Sequence, residues 1–488
     1  MKKIVAILCL LAVVLPLCAC ASPSLESEQI KPAQETKPAS EKKTEATPKN
    51  EKFKVPDDLP EGFTVGFGRG DISMTPLPIY EGTAETIHDP IMLTCTAVSD
   101  GENVALLMSA DLKSIQRGLT VQTRNKITKD FGIPGEFVII NTTHSHNAHT
   151  AGGTTAELTR WTKIWYEQVK IVVGEALRDL APAEAYIGVS HTEGITFVRR
   201  YLLANGKYQT NPSASNNPVA HESEADNELR TLRFKREGKK DVLLVNYQTH
   251  YGGATGMYPN QLSADFIAPF RETAEKELDC HFAYHSGASG NLNFNSLIPG
   301  ERKYPTFIEA IDGFMIATHD ALSKEEKANT GKIVAIEGNY TATVFHDSPE
   351  IVEIAKKIDK LGSETTEGTA LRNQHGLGSK RHINAIITRA GMDATQDIPL
   401  CAVTFGDIAF TAFPYEMFDK NGKDCREASP FKMTFICSLA NGSNGYIPTT
   451  EAFPHGSYEV VVCRYVQGTG EGLADKMVEI LNSCKAAA

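Results

Sequence analysis

Short runs of branched apolar residues recur along the chain at 104–108, 137–141, 242–247 and 333–336. Runs of this length, bounded by turn-forming residues, suit strands and are too short for helices. Elsewhere the apolar spacing changes to three and four. Residues 157–180 and 266–278 carry this helical period, and Leu473, Met477, Ile480 and Leu481 draw an apolar stripe along a terminal helix. Ser348-Pro349 reads as an N-cap followed by proline at the first helical position, which starts a helix over 350–361. Two turn signals predict hairpins. Asn205-Gly206 follows Arg199-Arg200-Tyr201, and Gly406-Asp407 separates Val403-Thr404-Phe405 from Ile408-Ala409-Phe410. Hairpins give antiparallel pairs, whereas strands that feed helices give parallel ones. The expected fold class is therefore α/β of mixed α+β character, with mixed β-sheets flanked by helices.

The pattern is different at the N-terminus. Lys2 and Lys3 precede an apolar stretch over residues 4–17, too short for a spanning helix and suited to a secretory signal. It ends in Leu17-Cys18-Ala19-Cys20, which resembles a bacterial lipobox. Residues 1–20 would then be a lipoprotein signal peptide, cut before Cys20, whose thiol carries lipid. An ordinary signal peptide cleaved a little further on is the alternative. Residues 21–52 are rich in Ser, Pro, Glu, Lys, Thr and Gln and hold too few large apolar side chains to fold, so they read as a disordered tether. The expected location is the bacterial cell envelope, lipid-anchored to the membrane through Cys20 and facing outside the cytoplasm.

From residue 53 to 488 the composition is that of a folded protein. About 430 residues exceed the usual single-domain range, yet neither a repeat nor a linker interrupts them; one large domain or two intimately packed lobes is expected. The balance of 49 Lys plus Arg against 60 Asp plus Glu argues against nucleic acid as a partner. Of ten cysteines, Cys95, Cys280, Cys401, Cys425, Cys437, Cys463 and Cys484 lie beyond the leader, and no Cys-x-x-Cys pair occurs. That argues against a thiolate zinc site and a dense disulfide framework. Most of these cysteines are expected as small buried apolar residues, with room for one or two bridges in an exported protein.

Against this background a few polar residues stand where apolar runs end. His144 and His146 follow the run at 137–141 and precede the turn at Gly152-Gly153. In extended chain, residues i and i+2 face the same way, so two imidazoles are presented side by side, a natural start for a metal site. His250, in Thr249-His250-Tyr251-Gly252-Gly253, repeats that setting after the run at 242–247. Glu416 follows Phe413-Pro414-Tyr415 beyond the second hairpin, and Tyr446 sits in Gly445-Tyr446-Ile447-Pro448-Thr449. Singly, each has a plain structural reading: a loop histidine, a solvated glutamate, a packed tyrosine.

Their order along the chain resembles the neutral, non-lysosomal ceramidase family, from residue 66 to the end. Gly66-Phe67-Gly68-Arg69-Gly70-Asp71-Ile72 resembles that family's Gly-x-Gly-Arg-x-Asp-Ile opening, Ile87-His88 its Gly-Ile-His element, and Thr143-His144-Ser145-His146 its Thr-His-Thr-His-Ser motif. The resemblance covers the family's N-terminal catalytic domain and implies that fold for residues 53–488. It implies a zinc ion held by His144, His250, Glu416 and Tyr446. It places His146 on the substrate side as a proton-transfer group, and Arg199, with Arg200 as the adjacent alternative, near the substrate. Imidazole, carboxylate and phenol donors agree with zinc's nitrogen and oxygen preferences.

One position departs from the family. Where its proposed serine nucleophile stands, the run Ser289-Gly290-Asn291-Leu292-Asn293 carries Asn293, and an amide cannot attack. A zinc-activated water is then the expected nucleophile, with Ser289 as the alternative. Arg199 or Asn293 would steady the oxyanion or the polar groups of the substrate. The implied activity is zinc-dependent hydrolysis of an amide in a small-molecule or lipid N-acyl substrate, with ceramide itself unsettled. The competing reading is a sensory or binding lipoprotein that keeps the fold and the metal without turnover. His88 and Asp111 either approach the pocket or serve structurally, His149 is an extra pocket residue or a loop histidine, His285 lies beside the 286–295 loop as a candidate substrate contact, and Asp265 is expected to cap the helix that begins beside it.

Overall fold

The structure, a computed structural model, describes residues 59–250 and 256–488. The expected signal peptide at 1–20, the lipidated Cys20 and the tether at 21–52 lie outside the described residues.

The apolar runs go to positions that need both faces covered. Val104–Ala110 is buried at every residue because it lies parallel to Val138–Thr142 at one end of a nine-stranded sheet. At the other end Asp241–Tyr247 lies parallel to the edge strand Cys280–Ser286. Between these two parallel pairs run Glu228–Arg236, Ala181–His191, Thr64–Asp71 and Met92–Ser99, each antiparallel to its neighbours. A second, four-stranded sheet runs Ile333–Thr343, Thr395–Phe405, Ile408–Phe413, Met433–Ser438, its last pair parallel.

The two sheets face each other. Phe67, Leu107, Ile139 and Leu244 of the larger sheet share one apolar cluster with Phe405, Phe410 and Phe435 of the smaller. The larger sheet's other face is covered by Trp161, Trp165 and Val172 of helix Ala156–Arg178, Phe270 of Ile267–Leu278 and Phe314 of Ala310–Ser323. The smaller sheet's other face receives Leu473, Met477, Ile480 and Leu481 of helix Thr469–Ala487. The layers are thus helix, sheet, sheet, helix, the mixed α/β arrangement expected. The Gly-x-Gly opening has a packing cause. A Cβ at Gly66 would run into the backbone at Ala176 and Leu180, and one at Gly68 into the Val172 carbonyl. The helix can lie on this strand only because these positions lack side chains.

The capping signals are met. Ser348 accepts the Ile351 amide ahead of Pro349–Leu361, and Thr155 accepts that of Leu158 at the start of Ala156–Arg178. Both hairpins form, Arg200–Leu203 with Tyr208–Thr210 and Thr395–Phe405 with Ile408–Phe413. The run at 333–336 continues as a strand to Thr343, where its composition turns polar, because Thr395–Phe405 pairs with it along its whole length. All seven described cysteines are buried and free, so the allowance for one or two bridges is not used. Helices Thr366–Gln374 and Lys380–Ala390, which the sequence pattern does not announce, join Pro349–Leu361 around a small core of Ala355, Ile358, Leu377, Ile383 and Ile386. Among the described residues, no helix is long and apolar enough to cross a membrane.

Candidate functional site

The site residues are loaded onto the C-terminal ends of parallel strands. Val138–Thr142 leads to His144 and His146, Asp241–Tyr247 to His250, and Cys280–Ser286 to Ser289 and Asn293. Ile408–Phe413 of the second sheet leads to Glu416, which pairs in register with Tyr446 in the short parallel ladder Glu416–Met417 with Tyr446–Ile447. Equal register on neighbouring parallel strands brings the carboxylate and the phenol to the same face.

His144 is held tightly. Its φ of 69° puts a non-glycine residue in the left-handed region, a local strain of order 1 kcal/mol. Its backbone N–H donates to the Leu112 carbonyl at 2.9 Å. Nδ1 lies 2.7 Å from the Lys113 carbonyl, which can only accept, so Nδ1 carries the proton and Nε2 offers its lone pair inward. His250 turns Nδ1 toward the Ser289 carbonyl at 3.3 Å. The His144 and His250 ring centres are 4.6 Å apart, and His146 stands 5.0 and 5.1 Å from them. One nitrogen from each of the three rings lies within 4.8 Å of the others.

Glu416 completes the cluster. Its Oε2 is 3.4 Å from His144 Nε2 and 4.0 Å from His250 Nδ1. That oxygen is buried and has no hydrogen-bond partner. Burial pushes the carboxyl up, but facing His144, the Tyr446 hydroxyl and Arg199 outweigh it and hold Glu416 at about 2. Burial drives His146 and His250 well below the usual histidine value, so both are neutral near pH 7. Burial, with the Glu416 charge beside it, raises the Tyr446 hydroxyl well above its ordinary value. The donor set fits a divalent cation: three imidazoles, that of His144 oriented by the Lys113 carbonyl, converge on a buried carboxylate oxygen left without a hydrogen-bond donor. His146 is as close to the cluster as the two histidines expected to ligate.

The cavity around this cluster has a volume of about 1120 Å³, and His144, His146, Arg199, His250, Asn293, Glu416 and Tyr446 all line it. Arg199 places its guanidinium 5.5 Å from the Tyr446 ring centre, donates Nε to Glu459 at 2.8 Å and Nη2 to the Gly290 carbonyl at 2.7 Å. Arg200 is fully buried and holds Glu222 and Glu459, which leaves Arg199 as the arginine that faces the site. Asn293 donates to Asn211 at 2.8 Å and accepts the Asn295 amide at 3.0 Å.

None of the other candidates lines this cavity. Ser289 is not among the lining residues; what it gives the site is its backbone carbonyl, at His250. His88 is exposed and stacks on Tyr258, with ring centres 3.6 Å apart. Asp111 is buried in an ion pair with Arg271 at 2.7 Å. His149 lies edge-on to Trp161, and His285 sits among Phe410 and Phe435; burial lowers both to about 3. Asp265 accepts the Phe266 amide at 2.8 Å, one residue before Ile267–Leu278, whose N-cap position is Phe266.

The sequence reading missed Tyr80, Lys113, Asn211, Arg381 and Tyr458, all of which line the cavity. Lys113 had a usable signal, since it follows the strand that must neighbour the histidine-bearing one. Tyr80 and Arg381 had none.

No family model matches the sequence, and no curated protein matches it. The fold is matched by solved structures. The neutral ceramidase from Pseudomonas aeruginosa superposes with a TM-score of 0.62 at 14% identity, covering 88% of this chain and 75% of that one. A ceramidase complexed with C2 gives a TM-score of 0.63 at 14% identity, covering 86% and 75%. The chain therefore has a neutral ceramidase-like fold, and at this identity the likeness speaks for the fold alone.

Proposed function

We propose that this chain, on its ceramidase-like fold, is a zinc-dependent hydrolase that cleaves the amide bond of an N-acyl compound. We further propose that it works in the bacterial envelope, anchored through Cys20. The observation that carries the reading is the buried Oε2 of Glu416, ionised and without a donor, between His144 and His250. That oxygen keeps lone pairs that no donor fills, which is where a cation would bind. His144, His250, Glu416 and Tyr446 would hold zinc, which when bound polarises an acyl carbonyl and lowers the pKa of a water molecule.

The chain's own residues would do the rest. His146, neutral near pH 7 and beside the cluster, can take a proton from the attacking water and return it to the leaving amine. Arg199 keeps its charge on the cavity wall and can face the oxyanion. Asn293, fixed by Asn211, orients polar groups of the substrate. Among the described residues, no serine or threonine hydroxyl bonds to the side chain of His144, His146 or His250. Without a nucleophile paired to a base, water is the better-supported attacking group.

The test is metal content and turnover in the purified protein. About one zinc per chain is expected, lost in His144→Ala and Glu416→Gln, with release of fatty acid from N-acyl amines by the loaded protein only. Zinc-free protein after purification without chelators would sink the metal claim. Zinc bound tightly with no N-acyl compound cleaved would favour the sensory reading instead.

A further inference from the structure

The cavity wall is cationic in a chain whose net charge is −11. Lys113, Arg199, Arg302, Arg372, Lys380 and Arg381 line it, against two carboxylates, Glu364 and Glu416. Arg199 is neutralised by Glu459. Among the described residues, no carboxylate lies within 4.0 Å of the charged groups of the other five. Elsewhere several arginines are matched: Arg236 by Asp179, Arg233 by Glu325, Arg426 by Asp226. Five cations without a carboxylate partner thus share one concave wall.

Lys113 and Arg381 are the two of the five that stand against the Tyr80 ring. Lys113 Nζ stands 5.1 Å and the Arg381 guanidinium carbon 4.8 Å from the Tyr80 ring centre, and that ring is 4.5 Å from the ring of His146. Arg381 donates to the Tyr458 hydroxyl at 2.7 Å, whereas Lys113 Nζ has no acceptor among the described residues. Arg372 donates Nη1 to the Gly378 carbonyl at 3.0 Å, and its buried Nε has no partner. Two like charges around one ring, partly removed from water, repel each other unless an anion joins them.

We infer that the cavity is built for an acyl substrate bearing an anionic group, a carboxylate or phosphate, seated between Lys113 and Arg381 one aromatic ring from the histidines. The inference rests on the hydrolase reading for the word substrate and on the cations alone for the anionic group. An uncharged head group such as that of ceramide would leave Lys113 and Arg381 without a counter-charge. Charge-assisted bonds from an ammonium and a guanidinium supply discrimination of about tenfold or more against the neutral isostere.

The test compares matched pairs on the purified full chain: N-lauroylglycine with N-lauroylglycinamide, and N-lauroylethanolamine phosphate with N-lauroylethanolamine. Dissociation constants are measured by calorimetry in zinc-free protein and kcat/KM in zinc-loaded protein. The expected result is at least about tenfold preference for one or both anionic members, falling toward unity in Lys113→Met and in Arg381→Met. Arg381 is exposed at a helix start, so its variant keeps the test sound should Lys113→Met misfold. Which pair shows the preference separates carboxylate from phosphate. Equal affinity within both pairs, or a preference that survives both substitutions, would overturn the inference. Anion preference in binding with no amide cleaved would keep the anion site and remove the hydrolase reading; cleavage without preference would do the reverse.

Discussion

Glu459→Gln probes how Arg199 is aimed. Glu459 is fully buried and receives Arg199 Nε at 2.8 Å, Arg200 Nη1 at 3.0 Å and the Thr210 hydroxyl at 2.5 Å. Arg200 is also fully buried, and Arg199 is 5% exposed. Among the described residues, the other carboxylate in an ion pair with these arginines is Glu222, which Arg200 shares with His455. Glutamine keeps the shape, removes the charge and turns an amide N–H₂ toward one guanidinium. Arg199 then loses its ion pair, while Arg200 keeps Glu222. Breaking such a buried pair from one side costs about 3–5 kcal/mol, against the 0–1 kcal/mol of an exposed pair. Urea unfolding of zinc-loaded protein should show that loss as a fall in midpoint at constant slope. With Arg199 freed from its anchor, kcat/KM on an N-acyl substrate should fall by about tenfold or more, while zinc stoichiometry holds because Glu459 is outside the expected ligand set. A second measurement guards the logic: Arg199→Met with Glu459→Gln should cost less than the sum of the single changes, since each removes the other's partner. A stability loss below about 1 kcal/mol, or strict additivity, would refute the claim that this buried carboxylate holds the arginine in place.

Two other outcomes are expected. Ser289→Ala should leave hydrolysis within about twofold, because the Ser289 side chain is not among those lining the cavity; a drop of several hundredfold in a zinc-replete variant would restore serine as nucleophile. In zinc-free protein the Glu416 carboxyl is depressed from 4.5 to about 2. A depressed acid stabilises the fold above its unfolded value and loses that contribution as pH falls. Stability from this group should therefore be complete above pH 4.5, decline toward pH 2 and be absent from Glu416→Gln. Urea midpoints across that range would contradict this if both proteins lost stability in parallel.

The sequence by itself determined the parts. Branched runs became strands, Ser348-Pro349 capped its helix, Leu473, Met477, Ile480 and Leu481 faced a core, and both hairpins closed. These are local decisions, made by side-chain period and turn chemistry within a few residues. His144, His250, Glu416 and Tyr446 were legible as polar residues where apolar segments end, and a family resemblance ordered them. Only the tertiary structure decided that they meet. Parallel pairing within each sheet puts successive strand ends on one side, and packing two sheets face to face brings Glu416 and Tyr446 to the histidines. It also removed Ser289 from the cavity and chose Arg199 over Arg200. The cationic wall could not be read at all in advance. Lys113, Arg302 and Arg381 come from segments far apart in sequence, and whether a charge is matched depends on what lies within a few ångströms of it in space.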